Sequence, residues 1–336
     1  MSTAHSQIIS AIPDAFERGK ASGDLLFFPS EIHTHSDGGI DFQIRLCPAL
    51  LQKPTLPTPH FNQTSNDKLD PFKAPYNPNL YVGELKDDEE GVEYVVLLNK
   101  FSVVSNHILL ITKEFQSQSS PLHPGDLVQA YLVLRAARKT GKPMFAFYNC
   151  GDRSGASQAH KHIQFIPVDE DEDGPPIELL SKAARIEKEA LPFSLVPLPF
   201  ANHVRRLSIP SKAPHLELES ALSNAFLQLL DLCISTVRHD PEYPPGTPSY
   251  NVILTLEHLY IFPRRQEIHK LRETGDLLSV NALGFAGLML VKSPEELEAV
   301  KKEGPLNILK GVGVTSVHDL QVAGGPEFDG EAELAH

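Results

Sequence analysis

Two imidazoles and an amide stand at alternate positions in His160-Lys161-His162-Ile163-Gln164, directly after a run of small and polar residues from Asn149 to Ala159. The apolar residues that follow suggest a strand over residues 160–168. Strand side chains alternate faces, so His160, His162 and Gln164 are expected on one face. A loop rich in backbone N–H groups and hydroxyls suits a phosphate, and a neutral imidazole beside it is a competent nucleophile. Together they point to attack of a histidine on phosphorus, with a phosphoramidate intermediate. Charge in that transition state spreads over phosphoryl oxygens, and Ser154, Ser157, Gln158, the loop N–H groups and the Gln164 amide are expected to receive it. Two plainer readings of His-x-His compete. One is a metal site, which needs further ligands from the 15 histidines of the chain. The other is a pair of satisfied structural histidines. A Walker phosphate loop is excluded, because Gly-x-x-x-x-Gly-Lys-[Ser/Thr] does not occur.

The elements that must position these residues follow from periodicity. A helix is expected over 7–21, half-buried strands within 25–49, and a Pro/Asn/Asp-rich ordered loop over 53–80. Strands at 94–99, 107–113 and 144–149 flank a helix over 124–139, with Pro124 in its first turn and Gly141 ending it. Further along come helices over 177–190 and 215–238, a hairpin of 250–256 with 258–263, and a helix opened by Ser293, Pro294 and a Glu296 capping box. The fold class is α+β, with two similar halves built on antiparallel sheets and flanked by helices. The halves divide as 1–174, carrying the motif, and 175–320, with 321–336 as a loose tail.

With 336 residues, 41% of them hydrophobic, the chain can bury a substantial core. A formal net charge of −13 argues against a nucleic-acid binder, and no unbroken apolar run suggests a membrane span. The acidic run Asp169 to Asp173 is read as a solvated loop. Cys47, Cys150 and Cys233 form neither a disulfide framework nor a Cys-x-x-Cys pair, and the first residues lack a secretory layout. The compartment expected is the cytoplasm, with the nucleus as a second location.

The segment Asn149–Gln164 resembles the active-site signature of the fungal-type ATP adenylyltransferases, or diadenosine tetraphosphate phosphorylases. These belong to the histidine-triad superfamily, in its galactose-1-phosphate uridylyltransferase-like branch. Leu98–Phe101, Ser249–Thr255, Ile261–Arg265 and Asn281–Gly287 carry the same resemblance, which spans about residues 25 to 300. It implies that His162 takes the adenylyl group and that Gln164 holds the α-phosphate, where hydrolytic relatives carry a third histidine. His160 accompanies them in the motif. It further implies that Asn149, Ser154, Gly155, Ala156, Ser157 and Gln158 line the nucleotide site. Lys53, Asn99 and Lys100 match positions contacting phosphates or nucleotide, and Asn281, Ala282, Leu283, Leu288 and Lys292 match the remaining binding positions. Read alone, Lys53, Lys292 and Arg264-Arg265 are ordinary surface cations, and Asn281 is a turn former.

By resemblance, the reaction is reversible phosphorolysis of diadenosine tetraphosphate to ATP and ADP, and adenylyl sulfate plus phosphate is a second route to ADP. Partners are diadenosine polyphosphates, ATP, ADP and inorganic phosphate, with no nucleic acid and no membrane. A divalent cation, Mg²⁺, is expected to bind with the substrate. The uridylyltransferases have His-Pro-His and commonly a zinc-binding cysteine pair. Here Lys161 stands between the histidines and Cys47 has no partner, so neither that enzyme nor a structural zinc is expected. A hydrolase releasing AMP and a non-catalytic nucleotide sensor are the alternatives.

Overall fold

The structure, a computed structural model, describes residues 3–52, 70–87, 89, 91–169, 171–172, 174–317 and 322–323. The helices are α1 (Thr3–Ser22), α2 (Pro124–Lys139), α3 (Pro176–Ala183), α4 (His215–His239), α5 (Ala282–Ala286), α6 (Pro294–Glu303) and α7 (Pro305–Val312). The principal strands are β1 (Glu31–Asp37), β2 (Ile40–Leu46), β3 (Tyr81–Lys86), β4 (Glu93–Leu98), β5 (Ile108–Thr112), β6 (Met144–Cys150), β7 (His162–Pro167), β8 (His203–Arg206), β9 (Ser249–Leu254), β10 (His258–Arg264) and β11 (Leu288–Val291).

Eight strands form one sheet in the order β8-β10-β9-β6-β7-β5-β4-β3, antiparallel throughout. The sheet runs unbroken through both halves of the sequence. Its seam is the β6–β9 pair, where Asn149 lies opposite Asn251 and Phe147 opposite Ile253. A second, three-stranded sheet crosses between the halves too, because β2 pairs in parallel with β11 and antiparallel with β1.

The two faces of the large sheet carry different loads. Ile163 and Phe165 of β7, Tyr148 of β6 and Val252 of β9 join a core with the apolar stripes of α1, α2 and α4. On the other face Phe147, Ile253, Tyr260 and Phe262 pack with the small sheet and with α5, α6 and α7. Every residue of β6, β9 and β10 is buried, as expected for strands covered on both sides. The helix α4 is long and apolar enough to cross a membrane, with an 18-residue window of mean hydropathy 1.3. Its stripe Leu218, Leu222, Phe226, Leu229 and Cys233 packs on the sheet, which accounts for that apolarity.

Local signals are honoured unevenly. The helix α2 spans the predicted residues, and Asp126 in its first turn accepts from the His123 N–H at 2.8 Å. Ser293 caps α6 by accepting from Glu296 N–H at 3.1 Å, but Glu296 reaches back to Lys292 N–H rather than completing the expected reciprocal box. The helix expected over 177–190 ends at Ala183, where Arg206 Nη2 donates to the terminal carbonyls of Ser181 and Ala184. Within the span expected as a tail, Val322–Ala323 pairs in parallel with Ser194–Leu195.

Candidate active site

The strand β7 starts at His162, not at residue 160, and His160 precedes it in an isolated bridge to Ser117. Alternation still holds: the Phe72 ring touches both imidazoles, at 5.3 Å from His162 and 5.9 Å from His160. Lys161 points through to the helical face, where its Nζ donates to Asp126 at 2.9 Å and to the Pro121 carbonyl at 3.2 Å. Gln164 sits on the imidazole face opposite Leu109 and Phe147.

The two histidines have different assignments. His160 has both nitrogens committed, Nδ1 to Asp70 and Nε2 to the Thr112 carbonyl, each at 2.7 Å. Neither is left to attack phosphorus or to ligate a metal, so the ring expected among the catalytic groups acts here as a fixture. His162 Nδ1 donates to the His160 carbonyl at 2.8 Å, which puts the lone pair of the neutral ring on Nε2. The Gln118 amide holds the surrounding backbone, accepting from His162 N–H at 2.8 Å and donating to the Asn149 carbonyl at 2.8 Å.

Burial pushes the His162 imidazole down from 6.5 to about 4; the His160 ring adds to this and the His160 carbonyl opposes it. His162 is therefore neutral and nucleophilic well below neutral pH. We expect the acid limb that His162 contributes to kcat/KM near pH 4 rather than 6.5, as read from a kcat/KM profile of the free enzyme. The unfolded chain takes up this proton first. The stability tied to a neutral His162 is thus whole above pH 6.5 and is lost as pH falls toward 4.

The loop after β6 is held from several sides. Gly151 has φ +87°, and a Cβ there would lie 2.5 Å from Ser249 Oγ. The Ser154 hydroxyl, expected to face a phosphate, instead donates to the Gly151 carbonyl at 2.6 Å. The Ser154 carbonyl accepts from Asn251 at 2.9 Å and from Arg264 at 3.3 Å. Arg264 is not a surface cation. It is fully buried, donates to Asn251 Oδ1 and to the Gln266, Val280 and Val312 carbonyls, and stacks on Phe285 at 5.0 Å. Burial lowers its pKa to about 9. Arg265 pairs with Asp240 and Glu242. These arginines are structural ties, not phosphate ligands.

Through those ties the loop meets the second half of the chain. Asn149 Oδ1 accepts from Asn251 at 2.8 Å and from the Ala282 N–H at 3.0 Å, while its buried Nδ2 has no partner among the described residues. A buried amide donor without a partner is costly unless a ligand completes it. Asn281 caps α5 by accepting from Leu283 N–H at 2.9 Å. Gly155, at φ +78°, leaves room for Val280 and Asn281, which an added Cβ would meet at 2.8 Å. Gly155→Ala is expected to push the two segments apart and to lower kcat/KM about 100-fold, the scale of a 1 Å misplacement. An unchanged kcat/KM would mean that this contact does not shape the site.

Other expected residues are less central. Ala156 is buried, Ser157 is exposed and Gln158 half-buried. Lys100 is exposed, with its Nζ 5.7 Å from the Phe101 ring. Leu288 lies in β11 within the core, and Lys292 is exposed just before α6. No described contact brings Leu288 or Lys292 to the imidazoles. Lys53 lies outside the described residues. Asn99 reaches the motif through a residue absent from the sequence reading: its Nδ2 contacts His107 Nδ1 at 3.0 Å, and His107 Nε2 contacts Gln164 Oε1 at 3.1 Å. Asp70, Gln118, Asn251 and Arg264 likewise carry no local signal for these roles, because only the tertiary fold brings them to the motif and its loop.

Residues 1–183 match the family model for the Ap4A phosphorylase N-terminal domain, and residues 196–315 match the ATP adenylyltransferase C-terminal domain. The chain belongs to the Ap4A phosphorylase family. A family member from Saccharomyces cerevisiae, diadenosine 5',5'''-P1,P4-tetraphosphate phosphorylase 2, is 32% identical over 308 residues, covering 87% of this chain and 89% of its own length. The crystal structure of yeast Ap4A phosphorylase Apa2 in complex with AMP has a TM-score of 0.72 at 29% identity, covering 92% of this chain and 98% of that one. The complex of the yeast Ap4A phosphorylase with Ap4A also has a TM-score of 0.72, at 27% identity and 93% and 98% coverage.

Proposed function

We propose that this protein is a nucleotidyltransferase that phosphorolyses diadenosine tetraphosphate to ATP and ADP through an adenylyl–His162 intermediate. The observation that carries the chemistry is the hydrogen bond from His162 Nδ1 to the His160 carbonyl, which leaves Nε2 as the nucleophilic nitrogen of a buried, neutral ring. Membership of the phosphorylase family, whose yeast member crystallises with the dinucleotide, supports the substrate.

In the first step the Nε2 lone pair forms an N–P bond to one α-phosphorus, and the bond to the bridging oxygen breaks. ATP leaves as a stable polyphosphate anion. The adduct carries positive charge on the imidazolium, and the His160 carbonyl accepting from Nδ1–H stabilises it. In the second step an oxygen of inorganic phosphate attacks the same phosphorus, the N–P bond breaks, ADP leaves, and neutral His162 is restored. The Gln164 Nε2 donates to the α-phosphate in both steps. Asn149 Nδ2, unpartnered and buried, donates to the nucleotide. Each step is a reversible displacement, so ATP and ADP give the dinucleotide in the opposite direction. Adenylyl sulfate fits the same scheme, with sulfate as the first leaving group.

Mg²⁺ would neutralise polyphosphate charge. Asp70 is bonded to His160 and Asp126 to Lys161, so the ion would arrive on the phosphate oxygens of the substrate.

Incubation with diadenosine tetraphosphate and Mg²⁺, with and without phosphate, tests the reading by its products. ATP plus ADP in equal amounts, dependent on phosphate, is expected. ATP plus AMP without phosphate would identify a hydrolase, and no turnover in either condition a nucleotide sensor.

A further inference from the structure

Gln164 helps a phosphoryl transfer only if its Nε2, not its Oε1, faces the phosphate. The two ends of an amide are alike in size, so shape alone does not choose between them. We infer that His107, held in one tautomer by Asn99, is a positioning residue that makes this choice; the inference rests on the adenylyl-transfer reading above.

Asn99 Nδ2 donates to His107 Nδ1 at 3.0 Å, so Nδ1 must carry the lone pair. The proton of the neutral ring is then on Nε2, which donates to Gln164 Oε1 at 3.1 Å. With its oxygen engaged on the side away from the substrate, the amide presents its N–H₂ to the phosphate. The relay is anchored at each link. The Asn99 N–H donates to the His107 carbonyl at 2.9 Å across the mouth of the β4–β5 turn. The Asn99 side chain also contacts the Phe101 backbone, donating to its carbonyl at 3.3 Å and accepting from its N–H at 3.4 Å. The His107 ring is 6% exposed, with the Phe147 ring at 6.2 Å.

The other tautomer would reverse the outcome. A lone pair on His107 Nε2 would draw Gln164 Nε2 inward and turn Oε1 toward the phosphate, replacing a donor with an acceptor. Asn99 therefore acts through His107, and its part in the site includes setting a tautomer as well as any contact with nucleotide.

The test is a double-mutant cycle on the full chain, read as kcat and KM for phosphorolysis, with His107→Phe, Gln164→Ala and both together. His107→Phe is expected to lower kcat about 10- to 100-fold with KM within about threefold of wild type, since the interaction lost matters in the transition state. In the Gln164→Ala background the same change is expected to cost less than about twofold, because nothing remains for His107 to orient. An equal loss in both backgrounds, or a change confined to KM, would overturn the proposal. Asn99→Asp supplies a near-isosteric second variant that does not depend on tolerance of Phe. At a pH where the His107 ring of this variant stays neutral, its carboxylate accepts from Nδ1–H and favours the wrong tautomer, so a similar kcat loss is expected there, and a wild-type kcat at that pH would also overturn the proposal. A wild-type protein without phosphorolysis would remove the reading itself and this inference with it. An active wild type with additive losses would remove the inference alone.

Discussion

His162→Asn is expected to lower turnover by about 10⁴-fold or more while leaving nucleotide affinity within a few-fold. The asparagine amide can still donate to the His160 carbonyl, the bond His162 Nδ1 makes at 2.8 Å, so the strand start need not rearrange. What it lacks is an imine nitrogen with a lone pair. The groups implicated in nucleotide binding, Asn149 with its unpartnered Nδ2 and the Ala282 segment bonded to it, are untouched. Parallel measurement of turnover and of AMP affinity separates the roles. Loss of both together would mean that His162 holds the site in shape rather than attacking phosphorus. Retention of turnover would move the nucleophile elsewhere.

Lys161→Met is expected to destabilise the fold by about 3–5 kcal/mol, the scale seen when one partner of a buried ion pair is removed. Lys161 and Asp126 lie 2.9 Å apart, with both side chains 2% exposed. Asp126 also accepts from Tyr94 OH at 2.9 Å and from the His123 N–H at the start of α2. Removing the lysine would leave a carboxylate in the core under helix α2, and Tm is expected to fall by roughly 4–7 °C. Adding Asp126→Asn removes that charge while an amide oxygen can still accept from the His123 N–H, so the double variant is expected to recover part of the loss. Thermal unfolding of the three proteins decides it. A single variant within about 1 kcal/mol of wild type would show that water reaches the pair.

The two outcomes share an origin in the alternation of one short strand. His162 and Gln164 face the site while Lys161 faces α2, and all three positions could be read from spacing because a strand's side-chain period is local. The helix α2 was equally legible, since Pro124 and Gly141 punctuate it. Legibility ended where the information is non-local. Nothing in either segment announces that β6 and β9 pair, yet this seam puts Asn149 against Asn251 and makes one sheet of both halves. An arginine after a strand reads as surface. Arg264 is buried because carbonyls from three separate segments converge on it. Ser154 looked like a phosphate donor by type, but its hydroxyl closes its own turn, a local competition that Ser commonly wins. His107 and Gln118 carry no motif, and their roles come from the side chains that the β5–β7 pairing and the loop before α2 bring near.

A covalent bond from His162 Nε2 to the adenylyl group can be caught in a single turnover. The protein is mixed with diadenosine tetraphosphate and Mg²⁺ in phosphate-free buffer, quenched in base, digested, and examined by mass spectrometry. The expected result is one equivalent of ATP released per chain and one adenylyl group on the peptide carrying His162, stable to base and labile to acid as a phosphoramidate is. Subsequent addition of phosphate should convert that group to ADP. Multiple turnovers to ATP and AMP without phosphate would make the protein a hydrolase, and an adenylyl group on any other residue would remove His162 as the nucleophile.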